Sequence, residues 1–271
     1  MAGKVHLVGA GPGDPELLTL KALRALKNAD VVLHDALVAP EVLAFVSHSA
    51  EVHDVGKRCG RKSVPQEEIN QLLVNYARLG LQVVRLKGGD PLIFGRGGEE
   101  IEALRRAGID FEIVPGITAA LGAAAAAEIS LTHRAKSSAV VLLTSQNSKE
   151  KEPDAWPTLS AGMTVVVYMP GHDYSLTSRR LLDAGLRAET PCAIVSRATS
   201  NEQQIHLTTV TDLALSPHLP APTLLIVGEV VREARSWNSE NLREITGREF
   251  LPIFGQAQFI AESGGAPPEQ E

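Results

Sequence analysis

Five times within residues 1–116 a short strand-like segment, apolar in four cases and mixed at 51–55, stops at a glycine, a proline or a charged pair, and helix-spaced stretches lie between the segments. Residues 5–8 end at Gly9, residues 31–33 at His34-Asp35, residues 51–55 at Gly56, residues 81–86 before Gly88-Gly89, and residues 111–114 at Pro115-Gly116. Between them, Leu17, Leu20, Leu23 and Leu26 recur at helical spacing, Pro65 with Glu67 and Glu68 opens a helix to Leu79, and another helix spans 98–106. Strands alternating with helices in this way predict a mostly parallel, doubly wound sheet of five strands. In such sheets ligands collect beyond the carboxyl ends of the strands, where these turns lie.

A helix over 117–128 leads to a second unit, with strands expected at 139–144, 164–168, 193–196, 204–208 and 224–227. The strand at 204–208 has no helix before it, so the second sheet is expected to be mixed. The chain therefore reads as two α/β domains, 1–116 and 117–235, with a C-terminal extension over 236–271. From Gly255 that extension is poor in core-forming residues and is expected to be partly mobile.

Composition narrows the function classes. A net charge of −6 gives no global attraction to nucleic acid or to an anionic membrane. The amino terminus has no signal-peptide pattern, and the Ala-rich stretch 113–127 is broken by Pro115, Gly116 and Gly122. Cys59 and Cys192 are too few for a disulfide framework, and the eight histidines show no ligand spacing, so no metal site is expected. These features predict a soluble cytoplasmic protein with free thiols.

The turns carry the candidate chemistry. Residues 83–100, VVRLKGGDPLIFGRGGEE, hold five glycines, one proline and two arginines, more backbone freedom than a plain turn needs. Gly88 and Gly89 suit close backbone approach to a flat or cramped ligand, and Asp90 suits accepting its hydrogen bonds. The first turn, GAGPGD, departs from the dinucleotide fingerprint at Pro12 and Asp14, which disfavours phosphate and leaves a tight turn and a ligand loop equally open. Asp35 ends a strand and has two readings, a turn cap, which the local sequence favours, or a base. The basic loop holding Lys57, Arg58, Arg61 and Lys62 is either a solvated surface or, with Arg96 and Arg134, a patch for a carboxylate-rich ligand. Thr118 and Ala119 divide evenly between helix packing and ligand contact.

Seven segments occur in one order: GAGPGDPELLTL at 9–20, GKR at 56–58, VPQEEIN at 64–70, the 83–100 segment, VPGITAA at 114–120, LTHR at 131–134 and YM at 168–169. Together they resemble the uroporphyrinogen-III C-methyltransferases of the tetrapyrrole methylase family. The resemblance implies a homodimer with S-adenosylmethionine in a cleft between the domains. It implies two successive methylations of uroporphyrinogen III to precorrin-2, releasing S-adenosylhomocysteine and feeding sirohaem and cobalamin synthesis. Carried over by position, cofactor contacts fall on Pro12, Gly88, Gly89, Asp90, Ile93, Thr118, Ala119, Met169 and Ala198. The proton acceptor falls on Asp35, against the local preference for a cap, and the proton donor on Lys57. Arg96 and Arg134 are candidates for the carboxylates of the substrate.

Two departures stand out: Ala198 occupies a position where the family usually has glycine, and Ser145-Gln146 replaces a Thr-Gly-His segment. The chain begins at the first strand of the methylase pattern, which predicts a monofunctional enzyme. Two alternatives share parts of this pattern: another precorrin C-methyltransferase, and a nucleotide-binding module without chemistry.

Overall fold

The computed structural model describes residues 3–56, 64–145, 156–171 and 173–234, and Trp237. The first sheet is built from β1 (Lys4–Gly9), β2 (Val31–His34), β3 (Glu51–Asp54), β4 (Gln82–Lys87) and β5 (Phe111–Val114). Its order is β3-β2-β4-β1-β5, and every pairing is parallel. Alternate residues of each strand supply two cores. Val8, Val32, Val84 and Leu86 pack beneath α1 (Leu20–Lys27) and α2 (Pro40–Leu43). Val5, Leu7, Val31, Leu33 and Val83 pack beneath α3 (Gln66–Arg78) and α4 (Gly97–Ala107). Burial on both faces is what a parallel sheet requires.

The second sheet holds β6 (Ala139–Thr144), β7 (Met163–Tyr168), β8 (Pro191–Ser196), β9 (Gln204–Thr209) and β10 (Thr223–Val227), ordered β6-β7-β10-β8-β9. Only β6 and β7 run parallel; β10 is antiparallel to β7 and β8, and β9 returns antiparallel beside β8. The expected mixed sheet is present. One face packs on α5 (Ala119–Ala126), whose alanines allow a close approach, and the other on α6 (Tyr174–Asp183). Neither α2 nor α6 was expected from the sequence. In α6, Tyr174, Thr177, Ser178 and Leu181 form the buried stripe, and the two polar members hide its helical period.

The first-turn helix also differs from expectation. Asp14 caps a short 3-10 turn at Pro15–Leu17, and α1 begins only after Thr19, whose hydroxyl accepts from the Ala22 amide. Cys192 is a buried, unpaired thiol, pushed up in pKa by desolvation, whereas Cys59 lies outside the described residues. Among the described residues no helix is long and apolar enough to cross a membrane. The extension expected over 236–271 lies outside the described residues except for Trp237, which packs against the α5 core.

Candidate active site

The carboxyl ends of β1, β4 and β5 converge until backbone meets backbone. Gly11 and Gly89 exchange amide hydrogen bonds of 3.2 and 2.8 Å. A Cβ on Gly116 would stand 2.3 Å from the Gly89 carbonyl oxygen and 2.8 Å from Gly9 Cα, so this crossing excludes any side chain. Gly89 itself has φ +66 and faces Ala119 N and Thr118 Cα, at 3.5 and 3.8 Å from where a Cβ would lie. Asp90 locks the loop: one carboxylate oxygen accepts from the Leu92 amide at 2.8 Å and the other from the Gly116 amide at 3.0 Å. Both carboxylate oxygens of Asp90, expected to accept from a ligand, thus have backbone partners within the loop itself.

The GAGPGD turn joins the two units. Gly122, on α5, would meet the Pro12 ring at 2.6 Å if it carried a Cβ, and the Asp14 amide donates to Thr199 Oγ1 at 3.1 Å. Ile93 packs into the same core as Ala119 and Ala198. Phe94 rests on the Tyr168 ring at 4.9 Å. The Tyr168 hydroxyl reaches Thr118 Oγ1 at 2.6 Å and accepts from the Ala120 amide at 3.1 Å, so a tyrosine of the second sheet caps α5 while the Thr118 side chain makes no cap bond. Desolvation raises the pKa of that hydroxyl, which keeps it neutral.

Five non-glycine residues on these loops are left-handed: Phe94 (φ 50), Arg96 (φ 59), Met169 (φ 50), Arg197 (φ 47) and Thr199 (φ 67). Such conformations cluster where a loop's shape serves a ligand. Ala198 lies between two of them but is not itself left-handed, which explains why alanine is tolerated there. Ser145 is tied down by its amide to Tyr168 O and by Arg180 to its own carbonyl, at 3.0 and 3.1 Å. Gln146 lies outside the described residues.

Asp35 ends β2, and its loop touches Gly88, whose Cβ would lie 3.3 Å from Leu37 Cβ. Its carboxylate caps no backbone amide among the described residues. Instead Oδ1 pairs with Arg85 Nη2, and Oδ2 lies 3.7 Å from Lys87 Nζ. Both cations reach Glu100 as well, at 2.9 and 3.0 Å. For Arg85, burial opposes the charged form, but Asp35 and Glu100 outweigh it and hold the guanidinium protonated. His34 is buried, its Nδ1 at 3.0 Å from the Asp35 carbonyl oxygen.

Sequence reasoning missed Arg85, Lys87, Glu100 and Tyr168. A signal existed for the first two: cations at alternate positions of an otherwise apolar central strand need buried anions. Arg96 is exposed at the start of α4 and bidentate to Glu99, at 2.7 and 2.6 Å, a bond that holds the Glu99 carboxyl below its usual range. Arg134 is exposed in the turn before β6, and no hydrogen bond or ion pair joins it to the other candidates among the described residues. Lys57 lies outside the described residues. A cavity of about 390 Å³ lined by His6, Lys21, Arg24 and Glu112 opens elsewhere and includes none of the expected site residues.

Comparison with known proteins places this geometry. Residues 4–214 match the model of the Tetrapyrrole (Corrin/Porphyrin) Methylases. Siroheme synthase 2 of Aeromonas hydrophila is 49% identical over 249 residues, covering 90% of this chain and 53% of that protein. The chain thus spans about half the length of the curated relatives it matches. A crystal structure of uroporphyrin-III C-methyl transferase from Thermus thermophilus, complexed with S-adenosyl homocysteine, is 41% identical with a TM-score of 0.75, covering 85% of this chain and all of that one. A cobalt precorrin-4 methyltransferase is 31% identical with a TM-score of 0.72, over 84% of this chain and 95% of that one.

Proposed function

The chain belongs to the tetrapyrrole methylase family, and we propose that it is an S-adenosylmethionine-dependent C-methyltransferase that methylates uroporphyrinogen III twice to give precorrin-2. The observation that carries this reading is one juxtaposition: Asp35 stands partly exposed at the end of β2, beside Gly88-Gly89-Asp90 at the end of β4 and Thr118-Ala119 at the start of α5. The match over 85% of this chain to a C-methyltransferase whose structure holds S-adenosyl homocysteine supports the same reading. So does the higher identity to that enzyme than to the precorrin-4 enzyme.

The residues fit the cofactor. The space before Gly89, bounded by Thr118 and Ala119, would be filled by any Cβ there, which suits a ligand laid directly on backbone. Pro12, Gly88, Gly89, Asp90, Ile93, Thr118, Ala119, Met169 and Ala198 would hold S-adenosylmethionine. When bound, that cofactor supplies a methyl group already activated on a sulfonium. Asp35 receives the proton that the methylated pyrrole sheds elsewhere on its ring system to become neutral, since the fully substituted carbon that takes the methyl carries no hydrogen, and Lys57 is the proton donor of the pair. Positioning by the cleft walls contributes most of the rate. Arg96 and Arg134 receive carboxylates of the substrate, Arg96 by exchanging its bond to Glu99 for one to the tetrapyrrole. The reading includes a homodimer in the cytoplasm, supported by the family resemblance.

Incubation of the protein with S-adenosylmethionine and enzymatically made uroporphyrinogen III should add two methyl groups by mass spectrometry. No gain, with methylation of a later precorrin instead, overturns the choice of substrate. Arg96→Glu should raise KM for uroporphyrinogen III about tenfold or more, since a like charge replaces a fork that binds carboxylates. Its thermal midpoint should be nearly unchanged, because the Glu99 pair is exposed. An unchanged KM removes Arg96 from the substrate patch.

A further inference from the structure

We infer that Glu100 is a positioning residue for the reaction, one that shares the charges of Arg85 and Lys87 and so sets how tightly those cations hold Asp35. The inference rests on the reading of Asp35 as the base. Glu100 is fully buried in the first turn of α4. It lies under the cleft because Gly97, whose Cβ would stand 2.3 Å from the Pro91 carbonyl oxygen, lets the helix press against the loop above. Its Oε1 alone accepts from Arg85 Nε at 2.9 Å, Lys87 Nζ at 3.0 Å and Gln66 Nε2 at 3.2 Å. Its Oε2 is buried without a partner.

Arg85 and Lys87 are each 2% exposed, whereas the Asp35 side chain is 30% exposed. The four side chains thus form a charge-balanced cluster, and among them only Asp35 opens appreciably to the cleft. A buried ionic cluster is weak support for stability, since apolar residues of similar volume often serve as well or better. One whose single open end is the candidate base has a use at that end. With Glu100 ionised, each cation divides its attraction between two carboxylates. With Glu100 neutral, Asp35 is the only anion between two buried cations, which favours its ionised form and weakens it as a base.

The other groups facing the cluster do not take over this role. His34, on β2, is engaged with the Asp35 carbonyl, and Asn70, on α3, with Gln66. Arg96 and Glu99, at the start of α4, are paired with each other, and Lys87 and Glu100 act on them only as their smallest influences.

The test is the pH profile of the first methyl transfer, measured in single turnover with S-adenosylmethionine and uroporphyrinogen III. Circular dichroism and S-adenosylhomocysteine calorimetry establish that each variant is folded. Glu100→Gln should bind S-adenosylhomocysteine as the wild type does, transfer methyl about tenfold more slowly at neutral pH, and show its acidic limb about one pH unit lower. Adding Lys87→Gln removes one cation with one anion and should return the limb towards its wild-type position, whereas a merely structural role would compound the damage. A wild-type rate and limb in Glu100→Gln, or a double variant no closer to wild type than the single, overturns the inference. Should Glu100→Gln not fold, Lys87→Gln with and without it decides. Neutralising Glu100 on that background should lower the limb by about one unit, and equal limbs overturn the inference. Asp35→Asn separates the two readings: wild-type turnover there refutes the base itself, whereas an inactive Asp35→Asn beside an unaltered Glu100→Gln refutes only the role of Glu100.

Discussion

Asp35→Asn is expected to fold, to bind S-adenosylhomocysteine, and to lose about 10³-fold in turnover of uroporphyrinogen III, the scale of a positioned general base. Asparagine matches the carboxylate in shape and can still accept from Arg85 Nη2, so the β2 loop should keep its course. What it lacks is the capacity to take a proton. The substitution leaves two buried cations facing Glu100 alone, but the Asp35 side chain is 30% exposed and water reaches that end of the cluster, which limits the cost in stability. Initial rates and calorimetry on the same preparation separate the two effects. Near-normal turnover would show that Asp35 serves only as a counter-ion to Arg85 and Lys87, and the proton acceptor would have to be sought elsewhere in the cleft.

The second large effect is expected from a single methyl group. Gly116→Ala places a Cβ 2.3 Å from the Gly89 carbonyl oxygen and 2.8 Å from Gly9 Cα, and neither atom can swing aside as a side chain would. Relief requires the ends of β1, β4 and β5 to separate. Overpacking of this kind costs about 3 kcal/mol, which for a chain of this size lowers the melting midpoint by about 6–12 °C. Because Gly116 N also holds Asp90, the floor beside Gly89 should shift and S-adenosylhomocysteine affinity should fall about tenfold or more, a loss of about 1.4 kcal/mol. Gly98→Ala is the matched control: nothing lies within 4 Å of the new Cβ, and the helix gains up to about 1 kcal/mol from lost glycine flexibility. Equal melting curves for the two variants would mean that the strand crossing is looser than the structure has it.

Much of the fold is legible in the sequence because its signals are local. Among the described residues all ten strands match expected segments, with edges displaced by a residue or two, and all but β3 rest on apolar residues and the turns that end them. The mixed second sheet follows from one strand, β9, that has no helix before it. What escapes is what depends on distant partners. GAGPGD read alone left a turn and a ligand loop equally open, since Gly122 and Thr199, against which it docks, lie far along the chain. Asp35 read alone favoured a cap, since nothing nearby in sequence announces Arg85 and Lys87 as its partners. Those two cations were absorbed into an apolar strand pattern, although their alternation aims both at the face that α4 covers with Glu100. The seven ordered segments identified the family where no single turn did.

The left-handed loop residues have a consequence for how this protein could be made more robust. Phe94, Arg96, Met169, Arg197 and Thr199 each hold a conformation costing a non-glycine residue roughly 1–2 kcal/mol, and all five lie on the loops that meet between the sheets. Selection for heat resistance alone would favour glycine or asparagine at these positions. Much of the molecule's unused capacity for stabilisation is therefore concentrated around the proposed site rather than spread through its cores. Variants recovered from a purely thermal screen should accumulate there, and they should be the slower enzymes.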